Sequence, residues 1–213
     1  MNEVERIIAN AQQRFREQLL AVEATGGLTI ERYTRFLSMQ FHLTNGVQKH
    51  FLRCAANSSM LGRKSLRKFL VSFAEEEEQH YLIAKRDLDN LGVELLPCPL
   101  DVALWWTYFD HLVDARPFVR LGATTILENI SKGNNEIIRR LLGAATYLNP
   151  RNTRFVVIHQ HEDLPHGDQI LQVLAGADLS ALDCRDLEEG ADTGMIFYLR
   201  FFSWVASGHE AAK

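Results

Sequence analysis

Six residues of this 213-residue chain carry metal-binding groups at helical spacing: Glu77, His80, Glu128, His159, Asp163 and His166. The phase of the neighbouring apolar residues puts each acid or imidazole where its helix should face the core. Three carboxylates and three imidazoles do not enter a helical interior without a cation to neutralise and coordinate them. The pattern therefore predicts a dinuclear metal site fed by three helices, and with it an enzyme.

The first pair continues the stripe Leu66, Phe69, Leu70, Phe73 as Glu77 and His80, before Ala84 and Leu88. Within the run Glu75 to Glu78 the other acids read as a solvated face, and Glu76 replaces Glu77 if the helix is turned slightly. Phe118, Leu121, Thr125 and Glu128 share a second face, where Glu128 could instead answer a buried arginine. The strongest local signal is Phe155, His159, Asp163, His166 and Ile170, because steps of four and three bring three ligands from consecutive turns to one point. His161 lies off that stripe and reads as surface, while Glu162 with His166 is an alternative pair. Pro165 removes a backbone hydrogen bond inside the stripe and should kink or bulge the helix there.

Nitrogen and oxygen donors without thiolate, offered as carboxylate-rich sets from facing helices, suit two iron or manganese ions better than structural zinc or a calcium loop. Two Fe(II) ions sharing carboxylates can reduce O2, which makes O2 the expected co-substrate. The competing reading is a helical bundle whose polar residues are satisfied separately and hold no metal.

The elements that would position these groups are helices. Proline occurs only at 97, 99, 117, 150 and 165, apolar stripes of helical period recur almost from end to end, and strand alternation is absent. A first helix carries Val4, Ile7, Ala11, Phe15, Leu19 and Val22 and stops at Gly26-Gly27. A second opens at Thr29 and runs to about Asn57, and a third spans about Lys64 to Asn90. An aromatic helix with Trp105, Trp106, Tyr108 and Phe109 follows Pro97 and Pro99, and a fifth runs from Pro117 to Ser131. Further helices cover about Asn135 to Tyr147 and Thr153 to Leu174, and a last helical region extends towards Ser207, interrupted near Gly190 to Gly194. The expected fold is all-α, one domain over residues 1–213, with seven to eight helices.

A hydrophobic content of 46% can bury one sizeable core. The net charge of -4 and the scattered Lys and Arg argue against nucleic acid as a partner. No apolar run approaches the roughly 20 residues of a membrane span, and the amphipathic start does not read as a signal peptide, so a cytoplasmic protein without membrane contact is expected. Cys54, Cys98 and Cys184 suggest neither a disulfide framework nor a thiolate zinc site.

At the run Glu-Glu-Glu-Glu-Gln-His (75 to 80) with Asp87-Leu88 and Gly92, the isolated Glu128, and the spacing His159-x3-Asp163-x2-His166, the chain resembles the heme-oxygenase-like di-iron oxidases and oxygenases. These are iron-containing redox enzymes sharing the fold of TenA and the PQQ-synthesis protein C. The resemblance covers about the second to the seventh helix. It implies a heme-oxygenase-like bundle, two weakly held non-heme irons, and O2-dependent N-oxygenation, desaturation or oxidative C–C cleavage of amino acids or fatty acids in biosynthetic pathways. By match to the motif, one iron takes ligands among Glu77, His80 and Glu128 and the other among His159, Asp163 and His166, with Glu77 or Glu128 as a candidate bridge. Some N-oxygenating members add a carboxylate from the second helix; residues 38 to 45 offer Gln40, His42 and Asn45 but no acid. A heme oxygenase needs an axial histidine near the first helix, whereas the first histidine here is His42. The nucleophilic cysteine of TenA-type thiaminases has no activated counterpart.

The expected substrate is a small amino-acid-derived or fatty-acid-like molecule beside the metals. Gln40, Phe41, His42, Trp105 and Tyr108 are candidates for its pocket, with Trp106, Phe109 and Phe118 as further wall, and Arg120, Arg154 or His42 as a charged anchor. A homodimer is compatible with the sequence, which specifies no oligomeric state. The alternatives are a non-enzymatic ligand-binding protein of the same fold, or a cofactor-independent enzyme with His159 or His166 as acid or base.

Overall fold

The stripe Val4, Ile7, Ala11, Phe15, Leu19, Val22 becomes the buried face of α1 (Asn2–Ala24). That helix ends where Gly26 and Gly27 take φ of 100° and 72°, and the Gly27 N–H returns 2.9 Å to the Val22 carbonyl. Thr29 caps α2 (Ile30–Thr44) by accepting the Arg32 N–H at 3.3 Å. The computed structural model describes residues 1–158 and 166–209, and these form eleven α-helices and one 3-10 turn, with no strand among them.

The count exceeds the expected number because long apolar stripes are divided. The helix expected from Thr29 to Asn57 breaks at Gly46, whose φ of 93° no helix interior accepts, and resumes as α3 (Val47–Ala56), followed by the 3-10 turn Ser58–Met60. The stripe from Lys64 to Asn90 is likewise two helices, α4 (Lys64–Glu77) and α5 (His80–Leu91). A turn at Glu78 and Gln79 separates them, and the first turn of α5 opens with the Leu82 N–H donating to the Gln79 carbonyl at 3.0 Å. Glu77 thus ends one helix and His80 starts the next.

Next come α6 (Leu100–Leu112), α7 (Pro117–Asn129) and α8 (Asn135–Ala144). The helix expected over about Thr153 to Leu174 is represented by α9 (Arg154–Ile158) and α10 (His166–Ala175), residues 159–165 between them lying outside the described residues. The last helix, α11 (Ala181–Ser207), is continuous, so the interruption expected near Gly190 to Gly194 is absent. Those glycines serve packing instead. A Cβ on Gly190 would overlap the Val119 backbone, one on Gly194 would stand 2.8 Å from Ala123 Cα, and one on Gly122 would overlap the Leu187 carbonyl. Helices α7 and α11 consequently run backbone against backbone.

This close contact makes α7 the innermost helix. Every residue from Pro117 to Ile126 is buried, as a helix surrounded on all sides requires. A smaller apolar cluster of Tyr33, Leu37, Ala84, Leu88 and Phe155 ties α2, α5 and α9 together. Asp87, fully buried on α5, accepts the Phe155 N–H at 2.8 Å and so caps the first turn of α9. Burial holds the Asp87 carboxyl above its ordinary range against the pull of those backbone N–H groups. No helix among the described residues is long and apolar enough to cross a membrane.

Candidate metal centre

Helical phase buries Glu77 and leaves Glu75, Glu76 and Glu78 exposed. The Glu77 carboxylate is 6% exposed, and its Oε2 lies 2.7 Å from Nδ1 of the equally buried His80. Both side chains face inward although Glu77 ends α4 and His80 starts α5.

His166, the first residue of α10, comes to the same place with its ring edge-on to Phe73 at 4.6 Å. Its Nε2–H donates to Glu76 Oε2 at 2.7 Å, while Nδ1 faces Glu77 Oε1 at 3.6 Å and Glu128 Oε2 at 3.8 Å. Both latter separations are too long for hydrogen bonds. An imidazole whose far nitrogen is bound to a carboxylate, and whose near nitrogen faces two more, has the second shell usual for a metal-bound histidine. Glu76 thus meets His166 from the exposed side, while Glu77 faces it from the buried one.

Glu128 reaches the centre from α7, on the face that also carries Arg120 and Thr124. Arg120 gives its Nε–H and Nη1–H to His50 and Thr124, so the buried-arginine alternative for Glu128 is not how this arginine is used. Four sequence-predicted ligands, Glu77, His80, Glu128 and His166, are thus brought together from α4, α5, α7 and α10. His159 and Asp163 lie outside the described residues, as do His161, Glu162 and Pro165. Among the described residues no group of three such donors is placed to hold a metal ion.

A cavity of about 220 Å3 opens beside these carboxylates, with Glu77 and Glu128 in its wall. The rest is largely apolar: Phe15 and Leu19 of α1, Phe36 of α2, Ile138 and Leu141 of α8, and Phe202 of α11. Gln40 and Tyr198 add polar groups near Glu128. Burial drives the Tyr198 phenol up to about 12, partly relieved by its hydrogen bond with Gln40 and reinforced by the Glu128 charge, so the phenol stays protonated.

Of the expected pocket residues, Gln40 lines this cavity and Phe41, His42, Trp105 and Tyr108 do not. Phe41 packs on Tyr81, and His42 Nε2–H donates to the Leu96 carbonyl at 2.8 Å. Trp105 is fully buried against Phe109, Phe197 and Phe201, and Tyr108 turns its hydroxyl towards Glu189 at 3.5 Å. Trp106, Phe109 and Phe118 are likewise outside the wall. The reason is the placement of α6, which packs on α7 and α11 on a side the cavity does not reach. The expected anchors Arg120, Arg154 and His42 do not border it either. The cation that does is Arg32, whose N–H groups go to the carbonyls of Val22, Thr25, Gly27 and Ala206 at helix ends. Sequence reasoning missed Tyr198 and the walls from α1 and α8; the spacing Tyr198, Phe202, Val205 on one helical face was the available signal.

No family model and no curated protein matches the chain. Among solved structures it is similar to a domain of unknown function with a heme oxygenase-like fold from Shewanella denitrificans OS217. The two share 18% identity with a TM-score of 0.78, over 96% of this chain and 89% of that one. At that identity the likeness carries the fold alone: the protein has the all-α class that its sequence pattern predicts and the heme-oxygenase-like fold that the resemblance implies.

Proposed function

We propose that this protein is a non-heme di-iron enzyme that uses O2 to oxidise a small, mainly apolar substrate by C–C cleavage, desaturation or N-oxygenation. The observation that supports the reading is the approach of Glu77 and Glu128, two acids on the wall of an apolar cavity, to within 3.6 and 3.8 Å of His166 Nδ1. Bound iron would supply the reduction of O2 and the removal of hydrogen from substrate.

The chain's own residues have separate tasks. Glu77, His80, Glu128 and His166 would hold metal, with His159 and Asp163 completing the set by their sequence spacing. Glu76 fixes the His166 ring by taking its Nε2–H. The protonated Tyr198 offers a hydrogen bond beside Glu128, and the apolar walls keep water from the reacting part of the substrate. The largely apolar lining suits a fatty-acid-like chain better than a zwitterionic amino acid.

Protein reconstituted anaerobically with Fe(II) should bind close to two irons per chain and develop a transient visible absorption on exposure to O2. His166→Ala and Glu128→Ala should each lose iron. A sample that binds no iron and stays colourless refutes the proposal. One observation favours a second reading, a metal-free ligand-binding or acid–base protein: among the described residues no group of three donors is placed to hold an ion, and His166 already meets Glu76 at 2.7 Å. In that case chelation leaves melting temperature and ligand binding unchanged.

A further inference from the structure

The guanidinium of Arg120 is wholly buried, and among the described residues no carboxylate stands within ion-pair distance of it. Its Nε–H donates to His50 Nδ1 at 3.1 Å and Nη1–H to Thr124 Oγ1 at 2.6 Å, both neutral acceptors. His50 remains uncharged because burial and the Arg120 charge push it down to about 4. The Cys54 thiol beside them is pushed up by burial to about 12 and is uncharged too. The nearest acids are spent or distant. Asp110 meets the far side of His50 at 3.4 Å but is exposed and paired with Arg53, and Glu128 lies two turns further along α7.

Aromatic faces partly offset the isolated charge. The rings of Phe51, Trp105 and Phe109 lie 5.1, 5.3 and 5.6 Å from the guanidinium carbon. They leave two donors unused, for Arg120 Nη2 and Trp105 Nε1 are both buried without a hydrogen-bond partner. Orphaned buried donors of this kind are rare, and ordered water or an ion is among the things that satisfy them. Water would satisfy the N–H groups but not the charge, whose burial without a counterion costs several kcal/mol. We propose that this box between α3, α6 and α7 binds a small monovalent anion, chloride in the cell, through Arg120 Nη2 and Trp105 Nε1. The site is separate from the proposed metal centre, and neither depends on the other.

The test compares chloride and bromide with gluconate at constant ionic strength, on the full chain. At tenfold saturation either halide should raise the melting temperature by about 3–5 °C over gluconate, saturating with concentration. Crystals grown in bromide should show an anomalous peak touching both nitrogens. Arg120→Met should abolish the halide increment, and Trp105→Phe, which keeps the buried ring, should reduce it if the arginine variant fails to fold. Equal melting temperatures in halide and gluconate, a lone water at the two donors, or a bromide peak only at molar salt without a saturable shift would each overturn the assignment.

Discussion

Replacing Gly190 by alanine tests the placement of Glu128 through the helix that carries it. The new methyl would stand 2.7 Å and 2.9 Å from the Val119 carbonyl carbon and Cα, and closer still to the carbonyl oxygen. Carbon atoms pack at about 3.5–4.0 Å, so α7 and α11 must separate by about 1 Å, and a gap of that size forfeits a quarter to a half of each dispersion contact along the pair. Overpacking costs about 1–3 kcal/mol where a side chain can yield. Here the obstacle is backbone, and about 3 kcal/mol or more is expected after the small gain in helix propensity. For a chain of 213 residues that is a fall of about 6–12 °C in melting temperature. Urea unfolding followed by circular dichroism measures it, with Gly143→Ala as the control: its methyl meets nothing within 4 Å, and it should be neutral or stabilising. Because Glu128 rides on α7, the Gly190 variant should also bind iron more weakly. An unchanged midpoint in Gly190→Ala would show that the two helices are not packed as described.

Three further outcomes follow from named contacts. Asp87→Ala removes the cap of α9 and should cost about 1–2 kcal/mol, with a loss of iron affinity; Asp87→Asn keeps an acceptor for the Phe155 N–H and should recover most of both. Equal losses in the two variants would argue against the cap. His50 titrates near 4 when folded against an ordinary 6.5, so the unfolded chain takes up the proton first on acidification. The stability involved is complete above pH 6.5 and drains by about 3 kcal/mol as pH falls towards 4, and His50→Gln should flatten that part of the stability profile. Glu76→Gln should lower iron affinity about 10-fold or more while leaving the melting temperature of the metal-free protein nearly unchanged, since Glu76 is exposed and acts by orienting His166. Identical iron binding would remove Glu76 from the centre.

The helical class and the inward faces were legible because burial follows the apolar phase residue by residue. Phase alone singles out Glu77 among four consecutive glutamates. Breaks and close approaches were not legible in the same way. Gln79 carries no breaking signal, yet α4 ends at Glu77 and α5 starts at His80. Gly190 and Gly194 read as breakers because a glycine required by a neighbouring helix has the same local sequence as one that ends its own. The pocket failed for a related reason: Trp105 and Tyr108 have the composition of a binding wall, but which aromatic helix borders the carboxylates depends on how α1, α8 and α11 surround α7, and that order is tertiary.

Anomalous scattering at the iron edge from crystals of Fe(II)-loaded protein bears most directly on the proposed centre. Two peaks are predicted, one of them within about 2.3 Å of His166 Nδ1 and of Glu77 and Glu128 carboxylate oxygens. An iron-free interior, with His166 joined to its acids through protons alone, would contradict it.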